Sequence, residues 1–116
     1  MRCLLVDDSA GFLSSARRLL ERQGIAVAGV ASNSADAVAR VAELRPDVVL
    51  LDIDLGAESG LDLAERLSRQ PVTGPKIILI STHAEQDYRD LIADSPAVGF
   101  LSKTDLSARA IRDLLG

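Results

Sequence analysis

Pro46-Asp47-Val48-Val49-Leu50-Leu51-Asp52-Ile53 carries an unbroken apolar run between two aspartates. Such a run is continuous where a half-exposed strand would alternate, so it belongs in a sheet covered on both faces, as parallel sheets are. Similar runs lie at 2–6, 25–30, 76–80 and 98–101, giving five candidate parallel strands with the one at 48–51. Stretches with helical periodicity, rich in Ala, Leu, Arg and Glu, occupy 10–23, 35–44, 61–69, 85–93 and 106–115. The chain therefore reads as α/β, a βα unit repeated five times. Its punctuation agrees: Ser9 is placed to cap the first helix and Gly24 to end it, Ser34 to cap the second, with Pro46 after it. Pro71 and Pro75 separate the third helix from the fourth strand.

The 116 residues suit one domain, expected to span 1–116 with no linker or repeat. No apolar run approaches the ~20 residues of a membrane-spanning helix, and the apolar start ends at Asp7-Asp8, too short for a signal-peptide core. A cytoplasmic location is the expectation. Cys3, the one cysteine, lies in an apolar strand and reads as a buried structural thiol. The formal charge is −4 and no Lys/Arg cluster accompanies aromatics, which argues against direct nucleic-acid binding and for protein partners.

In a parallel sheet with right-handed crossovers, functional groups gather at the carboxyl ends of the strands. Asp7 and Asp8 follow the first strand, Asp52 ends the third, Ser81 and Thr82 end the fourth, and Lys103 follows the fifth. Any one of these acids could cap a helix or solvate a loop. Together, three carboxylates within ~4–6 Å would repel unless a cation neutralised them, and their hard oxygens suit Mg²⁺ or Mn²⁺.

Four segments, Leu4-Leu5-Val6-Asp7-Asp8, the 46–53 stretch with Gly60-Leu61, Ile78-Leu79-Ile80-Ser81, and Gly99-Phe100-Leu101-Ser102-Lys103, closely resemble response-regulator receiver domains. The resemblance covers the whole chain and is nearest to receivers usually fused to helix-turn-helix outputs, though a stand-alone receiver is expected. It implies a flavodoxin-like doubly wound sheet of five parallel strands in the order 2-1-3-4-5. It further implies that Asp52 accepts a phosphoryl group from a sensor histidine kinase or phosphotransfer protein, and that Asp7, Asp8, Asp52 and the backbone carbonyl of Asp54 hold Mg²⁺. Lys103 would pair with a phosphoryl oxygen, while Ser81 and Phe100 would form a hydroxyl–aromatic switch. The output face would be the fourth helix, fifth strand and fifth helix, about 85–115, read by a downstream protein or by a second copy. The chemistry is consistent, because a carboxylate attacks phosphorus without a separate base and the transferred charge needs only positioned cations.

Departures from the family pattern are specific. Gly56 and Thr104 stand where prolines are usual, so the Lys103–Thr104 bond is expected to be trans. Thr82 replaces a small residue and Asp54 lies two beyond the acceptor; both are expected to modulate access to Asp52. His83, the only histidine, reads as a solvated loop residue. Two rival readings are a receiver-like scaffold that works without phosphorylation and a haloacid-dehalogenase-like phosphohydrolase suggested by Asp52-Ile53-Asp54. The second lacks a cap for substrate, and its motif normally follows a first strand. A nucleotide-binding flavodoxin-like domain is disfavoured because no glycine-rich loop follows the first strand.

Overall fold

The computed structural model describes residues 1–69, 74–82 and 88–116. Five strands, β1 (Arg2–Val6), β2 (Ala26–Ala31), β3 (Val48–Asp52), β4 (Lys76–Ser81) and β5 (Gly99–Ser102), form one parallel sheet in the order β2-β1-β3-β4-β5. The helices are α1 (Ala10–Arg22), α2 (Ser34–Leu44), α3 (Gly60–Ser68), α4 (Arg89–Ala93) and α5 (Ala108–Leu115). The expected α/β architecture and strand order are borne out. The portion of the fourth helix expected at 85–87, and His83, lie outside the described residues.

Why the strands are apolar throughout is visible in the two cores. Successive strand residues point to opposite faces, so Cys3, Leu5, Val48, Leu50, Ile78 and Ile80 pack on one side against Leu13, Ala16 and Leu20 of α1 and Ile111 of α5. Leu4, Val6, Val49, Leu51, Ile77 and Leu79 pack on the other against Ala37 and Val41 of α2 and Leu63, Ala64 and Leu67 of α3. Cys3 is fully buried, and burial pushes its thiol up to about 12, which keeps it protonated and inert.

Local details refine the helix ends. The Ser9 hydroxyl accepts from the Phe12 N–H, as expected of a cap. Asn33, not Ser34, caps α2, its side-chain oxygen accepting from the Asp36 N–H at 2.8 Å, and Ser34 is the first helical residue. The last helix begins later than position 106, because Ser107 caps it through the Ala110 N–H and a 3₁₀ turn, Lys103–Asp105, precedes it. No cis peptide bond occurs among the described residues, so Lys103–Thr104 is trans; the Thr104 hydroxyl instead pairs with that of Ser102 at 2.9 Å.

One element has no counterpart in the periodicity. Immediately after β3, Asp54–Leu55 pairs antiparallel with Glu58–Ser59 across a two-residue turn. Gly56 opens that turn at φ 62°, a conformation closed to proline, whose ring fixes φ near −65°. The missing proline at this position is thus explained by a different loop, a tight hairpin with glycine at its first turn position.

Candidate functional site

Parallel pairing of β1, β3 and β4 brings their carboxyl ends to one edge, and the side chains there converge. Asp7 is fully buried, Asp52 is 5% exposed and Asp8 is exposed; one carboxylate oxygen from each lies within 4.8 Å of the others. Lys103, just beyond β5, reaches into the group, its ammonium 2.5 Å from Asp7 Oδ2 and 3.3 Å from Asp52 Oδ2. The second oxygen of each buried acid is held by backbone: the Ser9 N–H donates to Asp7 Oδ1 at 2.9 Å, and the Asp54 N–H donates to Asp52 Oδ1 at 3.1 Å.

Electrostatics follow from this packing. Burial, reinforced by the neighbouring Asp7 charge, raises the Asp52 carboxyl from 3.8 to about 6, against the lowering pull of Lys103 and the Asp54 N–H. For Lys103, burial acts downward, but the bonds and charges of Asp7 and Asp52 outweigh it and its pKa is raised. It is a fixed cation at any physiological pH. The Phe12 ring lies 4.5 Å from the ammonium and covers it with a cation–π contact.

Three carboxylates against one ammonium leave two negative charges unbalanced. Asp7 Oδ2 is met by the Lys103 ammonium and by no other donor among the described residues, so this buried anionic oxygen keeps lone-pair capacity for a cation. Hard oxygens with this charge deficit fit a small divalent cation, Mg²⁺ or Mn²⁺, better than any soft metal.

Of the other residues singled out in the sequence, Ser81, Thr82 and Asp54 lie at strand ends on this edge, and Phe100 lies inside β5. Ser81 ends β4, almost fully buried and in register with Ser102. Phe100, in register with Leu79, is half-buried and packs on the core face that also carries α2 and α3. Thr82 is exposed one residue beyond β4. Asp54 is exposed, and its carboxylate accepts a hydrogen bond from the Tyr88 hydroxyl at 3.2 Å. Sequence reasoning missed Phe12, Tyr88 and the tight seat of Gly60. The Gly60 N–H donates to the Ile53 carbonyl at 2.8 Å, and a Cβ on Gly60 would fall 1.9 Å from the Asp52 carbonyl oxygen. Only glycine lets α3 start directly against the backbone that carries Asp52.

The family model of the response regulator receiver domain matches residues 3–114. The chain belongs to the receiver family. Among curated proteins it is 30% identical over 105 residues to the DNA-binding transcriptional activator EvgA of Escherichia coli, covering 90% of this chain and 51% of that one. It is 33% identical over 119 residues to protein-glutamate methylesterase/protein-glutamine glutaminase 5 of Myxococcus xanthus, covering 100% of this chain and 34% of that one. The chain thus spans about half the length of the first relative and a third of the second. Among solved structures, the signal receiver domain of the response regulator NarL from Mycobacterium tuberculosis superposes with a TM-score of 0.85 at 28% identity, covering 99% of this chain and 96% of that one. Residues 3–114 thus form a response regulator receiver domain of the two-component type. No helix among the described residues is long and apolar enough to cross a membrane.

Proposed function

We propose that the receiver, acting as one unit over residues 1–116, takes a phosphoryl group on Asp52 and converts it into a change of protein-binding surface. The observation that carries this reading is the buried Asp52 carboxylate flanked by Lys103 on one oxygen and by Asp7 and Asp8 within 4.8 Å. With its carboxyl at about 6, Asp52 is mainly ionised at neutral pH and is itself the nucleophile. One carboxylate oxygen forms a bond to phosphorus as the bond to the donor breaks. For a phosphohistidine donor on a sensor kinase or phosphotransfer protein, the leaving imidazole nitrogen takes up a proton. The Asp54 N–H holds Asp52 Oδ1, limiting rotation of the carboxylate during attack. Lys103 supplies a fixed positive charge beside the incoming phosphoryl oxygens.

Asp7, Asp8, Asp52 and the Asp54 carbonyl are the groups that would hold Mg²⁺, or Mn²⁺ in its place. When bound, that ion would neutralise charge on the transferred phosphoryl group.

A phosphoryl group adds a charge of about −1.5 to −2 next to Ser81 and Lys103. A hydroxyl such as that of Ser81 moving toward the new oxygens, with Phe100 following into the vacated space, would shift the face built from α4, β5 and α5. A downstream protein, or a second copy in a phosphorylation-driven dimer, would read that face. Relatives such as EvgA are DNA-binding regulators, but the −4 charge of this chain favours a protein-mediated output from the cytoplasm over direct contact with nucleic acid. Thr82 and the Asp54 carboxylate, at the mouth of the site, would set how water reaches the acyl phosphate.

Intact-protein mass after incubation with acetyl phosphate tests the proposal. One phosphoryl adduct is expected with Mg²⁺ and none without it or in Asp52→Asn. A wild-type protein that gains no adduct and binds no beryllofluoride would establish the phosphorylation-independent scaffold instead. Following phosphate loss in Asp54→Asn and Thr82→Ala tests the access role, and lifetimes equal to wild type would remove it.

A further inference from the structure

The hairpin that follows β3 carries Asp54, whose carbonyl stands among the proposed ligands, yet its two strands are only two residues each. So short a pair is not stable by itself and must be held from outside. On the acceptor side it is tied by the Asp54 N–H to Asp52 Oδ1 and, just past its end, by the Gly60 N–H to the Ile53 carbonyl. Its turn lies against the acidic cluster: a Cβ on Gly56 would be 3.3 Å from Asp8 Oδ2. The Tyr88 hydroxyl also bonds the Asp54 carboxylate at 3.2 Å, and a further tie, on the outer strand, leads away from the site. Glu58 Oε1 accepts a hydrogen bond from the Ser34 N–H at 2.9 Å, at the first turn of α2, next to the Asn33 cap.

This contact joins residues 24 apart in sequence. It is also electrostatically apt, because a carboxylate at a helix N-terminus meets unsatisfied N–H groups and the positive end of the helix dipole. Asn33 already satisfies the Asp36 N–H, and Glu58 takes the Ser34 N–H that Asn33 does not reach. Glu58 therefore fixes the outer strand of the hairpin to the rigid α2 layer, and through the Asp54–Ser59 pairing it fixes Asp54.

We propose that Glu58 is a positioning residue for the metal site, its bond to the α2 N-terminus holding the Asp54–Ser59 hairpin over Asp7, Asp8 and Asp52. The inference rests on the proposed metal-dependent function and deepens it. Groups outside the ligand set govern how well ligands are oriented, and Glu58 acts on Asp54 in this way through the hairpin ladder, not by touching a ligand. Because the Ser34 N–H is joined to this hairpin, its amide reports on the hairpin that the ion would grip.

The test is Mg²⁺ titration of the full chain by calorimetry, at a temperature where all variants are folded, with wild type, Glu58→Ala and Glu58→Gln. Glu58 is exposed, so both variants should fold. Glu58→Ala is expected to raise the Mg²⁺ Kd by a few-fold, less than the roughly ten-fold or more that follows loss of a direct partner of a ligand, while Glu58→Gln, which keeps an accepting oxygen, stays close to wild type. The Ser34 amide resonance should shift with Mg²⁺ in wild type and not in Glu58→Ala, a response that a merely stabilising side chain would not give. Equal Kd values for wild type and Glu58→Ala would overturn the proposal. So would a Glu58→Gln variant as weak as Glu58→Ala, which would mean that charge alone acts. If wild type itself binds no Mg²⁺, it is the metal-dependent reading of the site that fails.

Discussion

Asp52→Asn is expected to leave the metal-free protein at least as stable as wild type above neutral pH and to destabilise it in mild acid. In the folded chain the Asp52 carboxyl titrates near 6, against 3.8 for an unperturbed group. The folded state therefore holds this proton more tightly than the unfolded one. The resulting stabilisation is fully present below about pH 3.8 and is lost as pH rises through about 6. The shift corresponds to at most about 3 kcal/mol, and solvent at the mouth of the site reduces this to about 1–2 kcal/mol. Asparagine removes the titration, but it has one accepting oxygen where Asp52 uses two, for the Asp54 N–H and for Lys103, a loss of about 1 kcal/mol. Near pH 8 the two effects leave the variant level with or up to about 1 kcal/mol above wild type, and near pH 4.5 about 1 kcal/mol below it. Urea unfolding of both proteins from pH 4.5 to 8.5 in the presence of a chelator measures the difference, and titrations common to the two cancel. Parallel stability curves would refute the claim that burial and Asp7 strain the Asp52 carboxylate. Added Mg²⁺ should stabilise wild type more than the variant at pH 8.

Gly60→Ala places a methyl group where the Asp52 carbonyl now sits, 1.9 Å away. It should cost about 1–3 kcal/mol or more in unfolding free energy and slow phosphorylation by acetyl phosphate, whereas an unchanged urea midpoint would deny the close approach. Phe12→Leu keeps an apolar cover over Lys103 but removes the ring face 4.5 Å from its ammonium; the expected loss is about 0.5–1 kcal/mol, read from thermal unfolding. Lys103→Met removes the ammonium that, among the described residues, faces the three carboxylates, so Mg²⁺ affinity measured by calorimetry should rise by about ten-fold even as phosphorylation by acetyl phosphate falls. Affinity and transfer falling together would show that the lysine does not compete with the metal.

The strands were legible because a sheet covered on both faces leaves no polar position in its interior: Val48, Val49, Leu50 and Leu51 are all fully buried, alternately on the two cores. The acidic edge was legible for a topological reason, since parallel pairing obliges Asp7, Asp52 and Ser81 to emerge at the same end. What stayed hidden was set by contacts between elements distant in sequence. Nothing around Phe12 says that its ring meets a lysine 91 positions on, and nothing near Tyr88 announces Asp54. The hairpin escaped because two-residue strands carry no periodicity; Gly56 in place of a proline was its one trace. Ser34 looked like a cap by residue type, but Asn33 beside it has the extended backbone that capping needs, with φ −153° and ψ 172°.

Lys103 ties these observations together. Its ammonium lies nearer Asp7, at 2.5 Å, than Asp52, at 3.3 Å, so without a metal it serves chiefly as the counter-charge of the most buried carboxylate. A divalent ion on Asp7 would take over that work, and the lysine would then be electrostatically free to follow the negative charge gained at Asp52. The side chain already spans both acids, under the Phe12 ring, so that a displacement of its tip would carry it from one to the other. Under the proposed function, metal occupancy and phosphorylation would be coupled in this way through one ammonium. The same charge that would restrain metal binding in the resting site would become available to the phosphoryl group once the ion is in place.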